Sequence, residues 1–429
     1  MKISKIVPKS YSEVKNLPRF NFTKKVKKQR RLLTPIAWLL SFPETWQRKA
    51  KIIKFNMESL KKTPYLLLAN HNAFYDFKVA TRAIFPRRAT YVVALDGFIA
   101  REAIMREVGC IGTRKFITDV TVVKQIKRSL NELKHINILY PEARYSLVGT
   151  TAVLPESLGK LVKLLKVPIV TLISHGHHLS QPVWNLRKRK VKTSAEMRYL
   201  LSPEQIENFT VPEINKMINQ AFMYDDYAWQ KANNVLIKEA YRAEGLEAPL
   251  YKCPACLCEG KNITKGATLT CSNCGLSHEL LENGELKNHH GKTYFTSISA
   301  WFDWQRETVK NEILNGTYRF EHDVKINMLP NSTGFYEIGK GTLTHDLDGF
   351  VVSGKGFGET FTFKRSILDN YSVHIEYNYF GRGHGISFST GSDTFYMFSP
   401  EKTYLVTKVY FAVEELYKLK KDELTALLP

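Results

Sequence analysis

The chain has 429 residues, 44 % of them hydrophobic, enough for two or three ordinary cores. Its 62 Lys and Arg against 41 Asp and Glu leave a net charge of +21, so the preferred partner is anionic: a membrane surface, an acidic carrier protein or nucleic acid. No apolar run reaches the roughly 18 residues a spanning helix needs, and Met1-Lys2-Ile3-Ser4-Lys5 is followed by no apolar stretch or cleavage site, which argues against a secretory signal.

Residues 1–62 are basic and broken by apolar patches. Lys24, Lys25, Lys27, Lys28, Arg30 and Arg31 precede the run from Leu32 to Leu40, and Trp46, Arg48, Lys49 and Lys51 follow it. Too short to span, and flanked by tryptophan and cations, the run suits a helix lying in the interface over anionic headgroups.

From Pro64 to Glu244 strand and helix patterns alternate. Strands are predicted at 66–69, 91–95, 136–140 and 168–173, and helices at 77–84, 98–108, 120–133 (with Asp119 as N-cap) and 154–165. That alternation predicts an α/β domain, a mixed sheet flanked by helices, whose ligands collect beyond the carboxyl ends of the strands. Residues 203–243 read as two amphipathic helices.

Three loops of this region carry candidate chemistry. After the first strand, His71 precedes Asp76 by five residues, and a carboxylate folded back onto an imidazole is the outline of a general base. Gly109-Cys110-Ile111-Gly112-Thr113 leads into Arg114 and Lys115, two cations that a phosphate or carboxylate site would need, though the loop by itself reads sooner as a turn with solvated charges. The strand ending at Tyr140 leads into Glu142, Arg144 and Ser146, a carboxylate, a guanidinium and a hydroxyl at a strand exit. The close histidines of Ser174-His175-Gly176-His177-His178 read as polar loop residues rather than a metal site. Trp184 and the basic run Arg187–Lys192 fit either an acidic partner or a solvated hairpin.

Four of the six cysteines form two Cys-x-x-Cys pairs, Cys253/Cys256 and Cys271/Cys274. This spacing predicts a zinc ribbon in which four thiolates close one tetrahedral, structural zinc. Cys258 is a possible substitute for Cys256. Beyond it, Ile298–Leu314 reads as a helix, the segments near 361–364, 373–377 and 386–389 as short antiparallel strands, and Val413–Leu428 as a closing helix. The predicted domains are thus 1–62, a basic interfacial helical segment; 63–246, the α/β domain; 247–290, the zinc ribbon; and 291–429, a helix plus a β-sandwich or barrel-like domain with a C-terminal helix.

The order Asn-His-x-x-x-x-Asp, Gly-x-Ile-x-x-Arg, aromatic-Pro-Glu-x-x-x-Ser and Val-Pro-Ile-Val resembles the glycerolipid acyltransferases, the 1-acyl-sn-glycerol-3-phosphate acyltransferase superfamily, over residues 35–245. The resemblance implies that His71 takes the proton of an acceptor hydroxyl attacking an acyl thioester, with Asp76 holding the ring. It implies phosphate binding by Arg114, with Lys115 beside it, and contact with the glycerol part of the acceptor by Glu142. It also implies acyl-CoA or acyl carrier protein as donor, a lysophospholipid as acceptor, no catalytic cofactor, and a cytoplasmic enzyme peripheral at the inner face of the cell membrane. Where the family reads Glu-Gly-Thr-Arg-Ser, this chain has Ala143-Arg144-Tyr145 between Glu142 and Ser146. Either Arg144 does the missing arginine's work, or the acceptor is a different lipid. The competing reading is a nucleic-acid-binding zinc-ribbon protein with an inert α/β domain. The basic residues cluster away from the cysteines, so nucleic acid is not the expected partner.

Overall fold

A computed structural model of the protein describes residues 6–117 and 119–426, so the Met1–Lys5 start read above for a secretory signal lies outside the described residues. The chain divides into two compact units. An α/β unit takes Asn21–Thr113 and Thr118–Ile237, and a β-rich unit takes Met1–Phe20, Arg114–Ile117 and Lys238–Pro429. Among the described residues no helix is long and apolar enough to cross a membrane.

The chain opens with β1 (Val7–Pro8) and α1 (Tyr11–Lys15), both in the β-rich unit. The α/β unit then runs α2 (Thr34–Gln47), β2 (Lys51–Phe55), β3 (Leu66–Ala69), α3 (Asp76–Ala83), β4 (Ala89–Ala94), α4 (Glu102–Glu107) and β5 (Cys110–Thr113). It continues with α5 (Val120–Asn131), β6 (Ile136–Leu139), α6 (Ser157–Leu165), β7 (Ile169–His175), α7 (His177–Ser180) and β8 (Ser194–Leu201). Three short helices, α8 (Pro203–Asn208), α9 (Val211–Ala221) and α10 (Asp226–Ala232), stand where the sequence suggested two.

Its seven strands lie in the order β2-β8-β7-β3-β6-β4-β5, and only β7–β8 is antiparallel. The sheet is mixed and flanked by helices, as the alternating pattern predicted. The central strand shows why its sequence is apolar throughout. Leu66 and Leu68 enter one core with Ile126, Val162 and Ile214, while Leu67 and Ala69 enter another with Val79 and Ala80. A parallel strand covered on both faces has no polar side to show. Asp119 caps α5, accepting the Thr121 amide at 2.7 Å.

The β-rich unit holds β9 (Asn262–Lys265), β10 (Thr268–Cys271), β11 (Ser277–Leu280), β12 (Leu286–Lys287), α11 (Ile298–Leu314), β13 (Phe320–Met328), β14 (Tyr336–Asp346), β15 (Gly349–Gly356), β16 (Glu359–Ser366), β17 (His374–Glu376), β18 (His384–Ser389), β19 (Thr394–Ser399) and α12 (Val406–Ala426). Strands β9–β12 form a small antiparallel sheet beside the cysteines. This module is no isolated domain. Gln305 of α11 donates to the Pro249 carbonyl at 2.9 Å and accepts the Lys252 amide at 2.8 Å, and the Trp301 indole donates to the Lys252 carbonyl at 2.9 Å.

The C-terminal strands form one eight-stranded sheet, β16-β15-β14-β13-β19-β18-β17 with β1 beside β14, rather than two separate sheets. It curls on itself in a barrel-like way: strands four apart in that order meet, Phe363 of β16 on Phe395 of β19 at 4.1 Å and Phe350 of β15 on Phe388 of β18 at 5.4 Å between ring centroids. Val409, Phe411, Ala412 and Val413 of α12 are buried as well. One expectation is corrected here: 1–62 is not one interfacial segment. Strand β15 pairs with β14 only from Lys340 onward, which leaves Tyr336 and Glu337 to take β1 in parallel register, while Lys51–Phe55 is a strand of the α/β sheet.

Candidate active site

The carboxyl ends of three adjacent strands, β7, β3 and β6, converge on one constellation. Beyond β3, the Asn70 side chain extends the ladder to β7, donating to the Ser174 carbonyl at 3.0 Å and accepting its amide at 2.8 Å. The chain then turns sharply around the Asp76 carboxylate, whose Oδ2 accepts the amides of Asn72 at 2.5 Å and Ala73 at 2.9 Å. The turn is thus organised by the residue that serves the histidine.

His71 Nδ1 lies 3.0 Å from Asp76 Oδ2, and His177 Nδ1, at the start of α7, lies 2.5 Å from Asp76 Oδ1. Burial pushes the Asp76 carboxyl up, but the bonds from His177 and His71 outweigh it and hold the group down at about 2. An ionised carboxylate only accepts, so each imidazole presents Nδ1–H to it. On His71 this leaves Nε2 as the outward nitrogen, on a ring 21 % exposed and with no partner for Nε2 among the described residues. Tyr140 stacks on that ring at 4.2 Å between centroids and Tyr145 lies against it at 4.3 Å, which fixes its plane.

The backbone of His71 is held from both sides by the loop after β6. Its amide donates to Glu142 Oε2 at 2.6 Å, and its carbonyl accepts the Ser146 amide at 2.7 Å. Glu142 Oε1 accepts the Ala152 amide at 3.1 Å. Glu142 is fully buried with both oxygens taken by backbone donors. Burial pushes its carboxyl up to about 8, against the pull of those amides and of Arg144. The resemblance assigned Glu142 to the acceptor; in the structure its carboxylate holds the backbone amides of His71 and Ala152. Arg144 and Ser146 are buried beside it, and the Ser146 hydroxyl donates to the Thr150 carbonyl at 2.6 Å.

Arg114 and Lys115 belong to the β-rich unit. Arg114 donates to the Ser392 carbonyl at 3.3 Å, and the Lys115 ammonium donates to His374 Nε2 at 2.8 Å.

From the sequence His177 read as a polar loop residue, and Tyr140 and Asn70 only as parts of motifs, so none was given a place beside His71. The available signal was topological: β7 lies beside β3, so a histidine just past the end of β7 arrives next to one just past β3. The α7 turn is held by Asp226, which accepts the Gly176 amide at 2.9 Å and the His178 amide at 3.1 Å. Gly176 takes φ +77° there, with its absent Cβ position 2.9 Å from the Trp229 ring.

In the β-rich unit, Sγ atoms of Cys253, Cys256, Cys271 and Cys274 all lie within 4.8 Å of one another, so these four can hold a metal ion. The Cys253–Cys274 and Cys256–Cys271 separations are 3.6 and 3.7 Å. A tetrahedron with metal–sulfur bonds of about 2.3 Å has edges of about 3.8 Å, so the donor set fits.

No protein-family model matches the chain, and no curated protein matches it. Among solved structures, a 1-acyl-sn-glycerophosphate acyltransferase of Thermotoga maritima is similar at a TM-score of 0.35 and 13 % identity, over 44 % of this chain and 78 % of that one. No residue's role is carried over from that distant likeness.

Proposed function

We propose that the protein is an O-acyltransferase that moves a fatty acyl group from a thioester, acyl-CoA or acyl carrier protein, to the hydroxyl of a lysophospholipid, with 1-acyl-sn-glycerol-3-phosphate the first candidate acceptor. One observation carries the reading: His71 is oriented through Nδ1 by an ionised, buried Asp76, while Nε2 is left unpartnered on a partly exposed ring. Nε2 takes the hydroxyl proton as the acceptor oxygen attacks the thioester carbonyl. Asp76 stabilises the imidazolium so formed. As the tetrahedral adduct collapses, the carbon–sulfur bond breaks and the imidazolium returns its proton to the leaving thiolate, giving an ester and a free thiol. No acyl-enzyme is required, because holding donor and acceptor side by side supplies much of the rate.

Helix α2 supports a lipid substrate. It is inverted: Thr34, Ser41 and Thr45 are buried, whereas Ile36, Leu39, Leu40 and Trp46 are exposed, as is Leu32 just before it. With the neighbouring cations, this face suits the surface of an anionic membrane. The enzyme would then work peripherally at the cytoplasmic face of the cell membrane. Zinc in the four-cysteine site has no open position and serves the fold. A second reading keeps the chemistry and changes the acceptor to another lipid hydroxyl. The burial of Glu142 and Arg144 favours it, since neither is presented to a glycerol phosphate.

The test is thiol release from acyl-CoA and acyl carrier protein against a panel of phosphorylated and neutral lysolipids. Turnover with lysophosphatidate supports the first acceptor, turnover confined to other lysolipids the second. Release with no acceptor dependence would sink both.

A further inference from the structure

The Asp76 carboxylate serves two imidazoles, and the general-base reading uses only one. His177 is fully buried, its ring lies 4.7 Å from that of Tyr75, and its Nε2 is buried without a hydrogen-bond partner. A proton on that Nε2 would be a buried, unsatisfied donor. The tautomer with its proton on Nδ1, directed at Asp76 Oδ1 2.5 Å away, avoids that. Asp76 thus receives four donors: two backbone amides of its own turn and two imidazole N–H groups, one on each oxygen.

We propose that His177 is a positioning residue for the base: through Asp76 it locks the carboxylate rotamer that orients His71 and spreads the carboxylate charge over a second imidazole donor. Its role in turnover rests on the acyl-transfer reading; its tautomer and contact with Asp76 do not. The physical consequence has a definite sign. With the second imidazole removed, more negative charge stays on Oδ2, the His71 imidazolium is better stabilised, and the base is protonated up to a higher pH. Other titratable groups face the pair. Tyr140, Glu142, Arg144 and Tyr145 come from the β6 exit and Tyr75 from the turn before α3. Tyr224 reaches Asn72 at 2.6 Å, and Asp226 lies behind α7. His175 at the end of β7 and His178 on α7 flank His177 in sequence.

The experiment compares the wild-type chain with His177→Leu and His177→Asn, the latter keeping an N–H near the Nδ1 position. Expected for His177→Leu is a kcat about 10- to 100-fold lower, the loss of one charge-assisted bond, with KM within about twofold. The acidic limb of its kcat/KM profile should move to higher pH by about half a unit or more. His177→Asn should restore both to near wild type. An unshifted limb in His177→Leu, or an asparagine variant as impaired as the leucine variant while natively folded, overturns the proposal. Nitrogen-15 NMR of histidine-labelled wild-type protein tests it without turnover and without folding of the leucine variant. Two Nδ1-bound protons, on His71 and His177, are expected, and an Nε2–H tautomer at His177 overturns the proposal. Absence of acyl transfer by the wild type would reject the enzymatic reading and the positioning role with it.

Discussion

At the scale of single residues, Asp76 does the most, because its carboxylate closes the turn, orients His71 and binds His177. Asp76→Asn would set an NH2 group against a ring N–H or a backbone amide. We expect a kcat loss of about 10²- to 10⁴-fold at near-normal substrate binding, read from steady-state kinetics. The carboxyls around it also give stability a pH dependence. Asp76 titrates below its ordinary value, so its contribution is present above pH 3.8 and is lost as pH falls through about 2. Burial raises Glu142 from 4.5 to about 8 and Asp226 from 3.8 to about 7, so their contributions have the opposite sign, complete at low pH and lost as pH climbs through those values. The melting temperature should therefore fall between about pH 5 and 8.5, and Glu142→Gln should flatten part of that fall. Identical slopes for the two proteins would contradict the buried, raised carboxyl.

Among the elements, α2 and β3 show two ways in which a sequence pattern becomes function. The α2 pattern puts small hydroxyl side chains inward and leucines outward, and the proposed lipid contact uses that outward face. Leu39→Glu with Leu40→Glu should weaken flotation with anionic vesicles by about tenfold or more while leaving thermal stability unchanged, because each exposed leucine taken up by lipid is worth about 1.5–3 kcal/mol. Strand β3 was legible because four successive apolar residues covered on both faces, followed by Asn-His, leave little choice of assignment. His177 was not legible, since its partner lies 101 residues away and meets it only once β7 is known to pair with β3. Strands β14 and β15 were missed because glycines punctuate them. A Cβ at Gly341 would lie 2.0 Å from the Ser353 carbonyl oxygen, so the residues that read as turns are those the close strand approach requires.

For the whole molecule, the sequence conveyed the α/β alternation, the cysteine spacing and the basic balance. It did not convey that Val7 and Pro8 join the C-terminal sheet, because a two-residue parallel pairing leaves no local periodicity. The four-cysteine site ties the 253–274 loops together within the β-rich unit. One zinc per chain by elemental analysis, and a lower melting temperature after strong chelation, are expected; a metal-free protein of unchanged stability would remove the structural role. The central claim concerns His71, and acyl transfer from acyl-CoA to a lysophospholipid by wild type and His71→Ala tests it most directly. The account predicts turnover by the wild type and a loss of about 10²- to 10⁴-fold in the variant, with fold and zinc content unchanged. Near-normal turnover by a folded His71→Ala protein would contradict it.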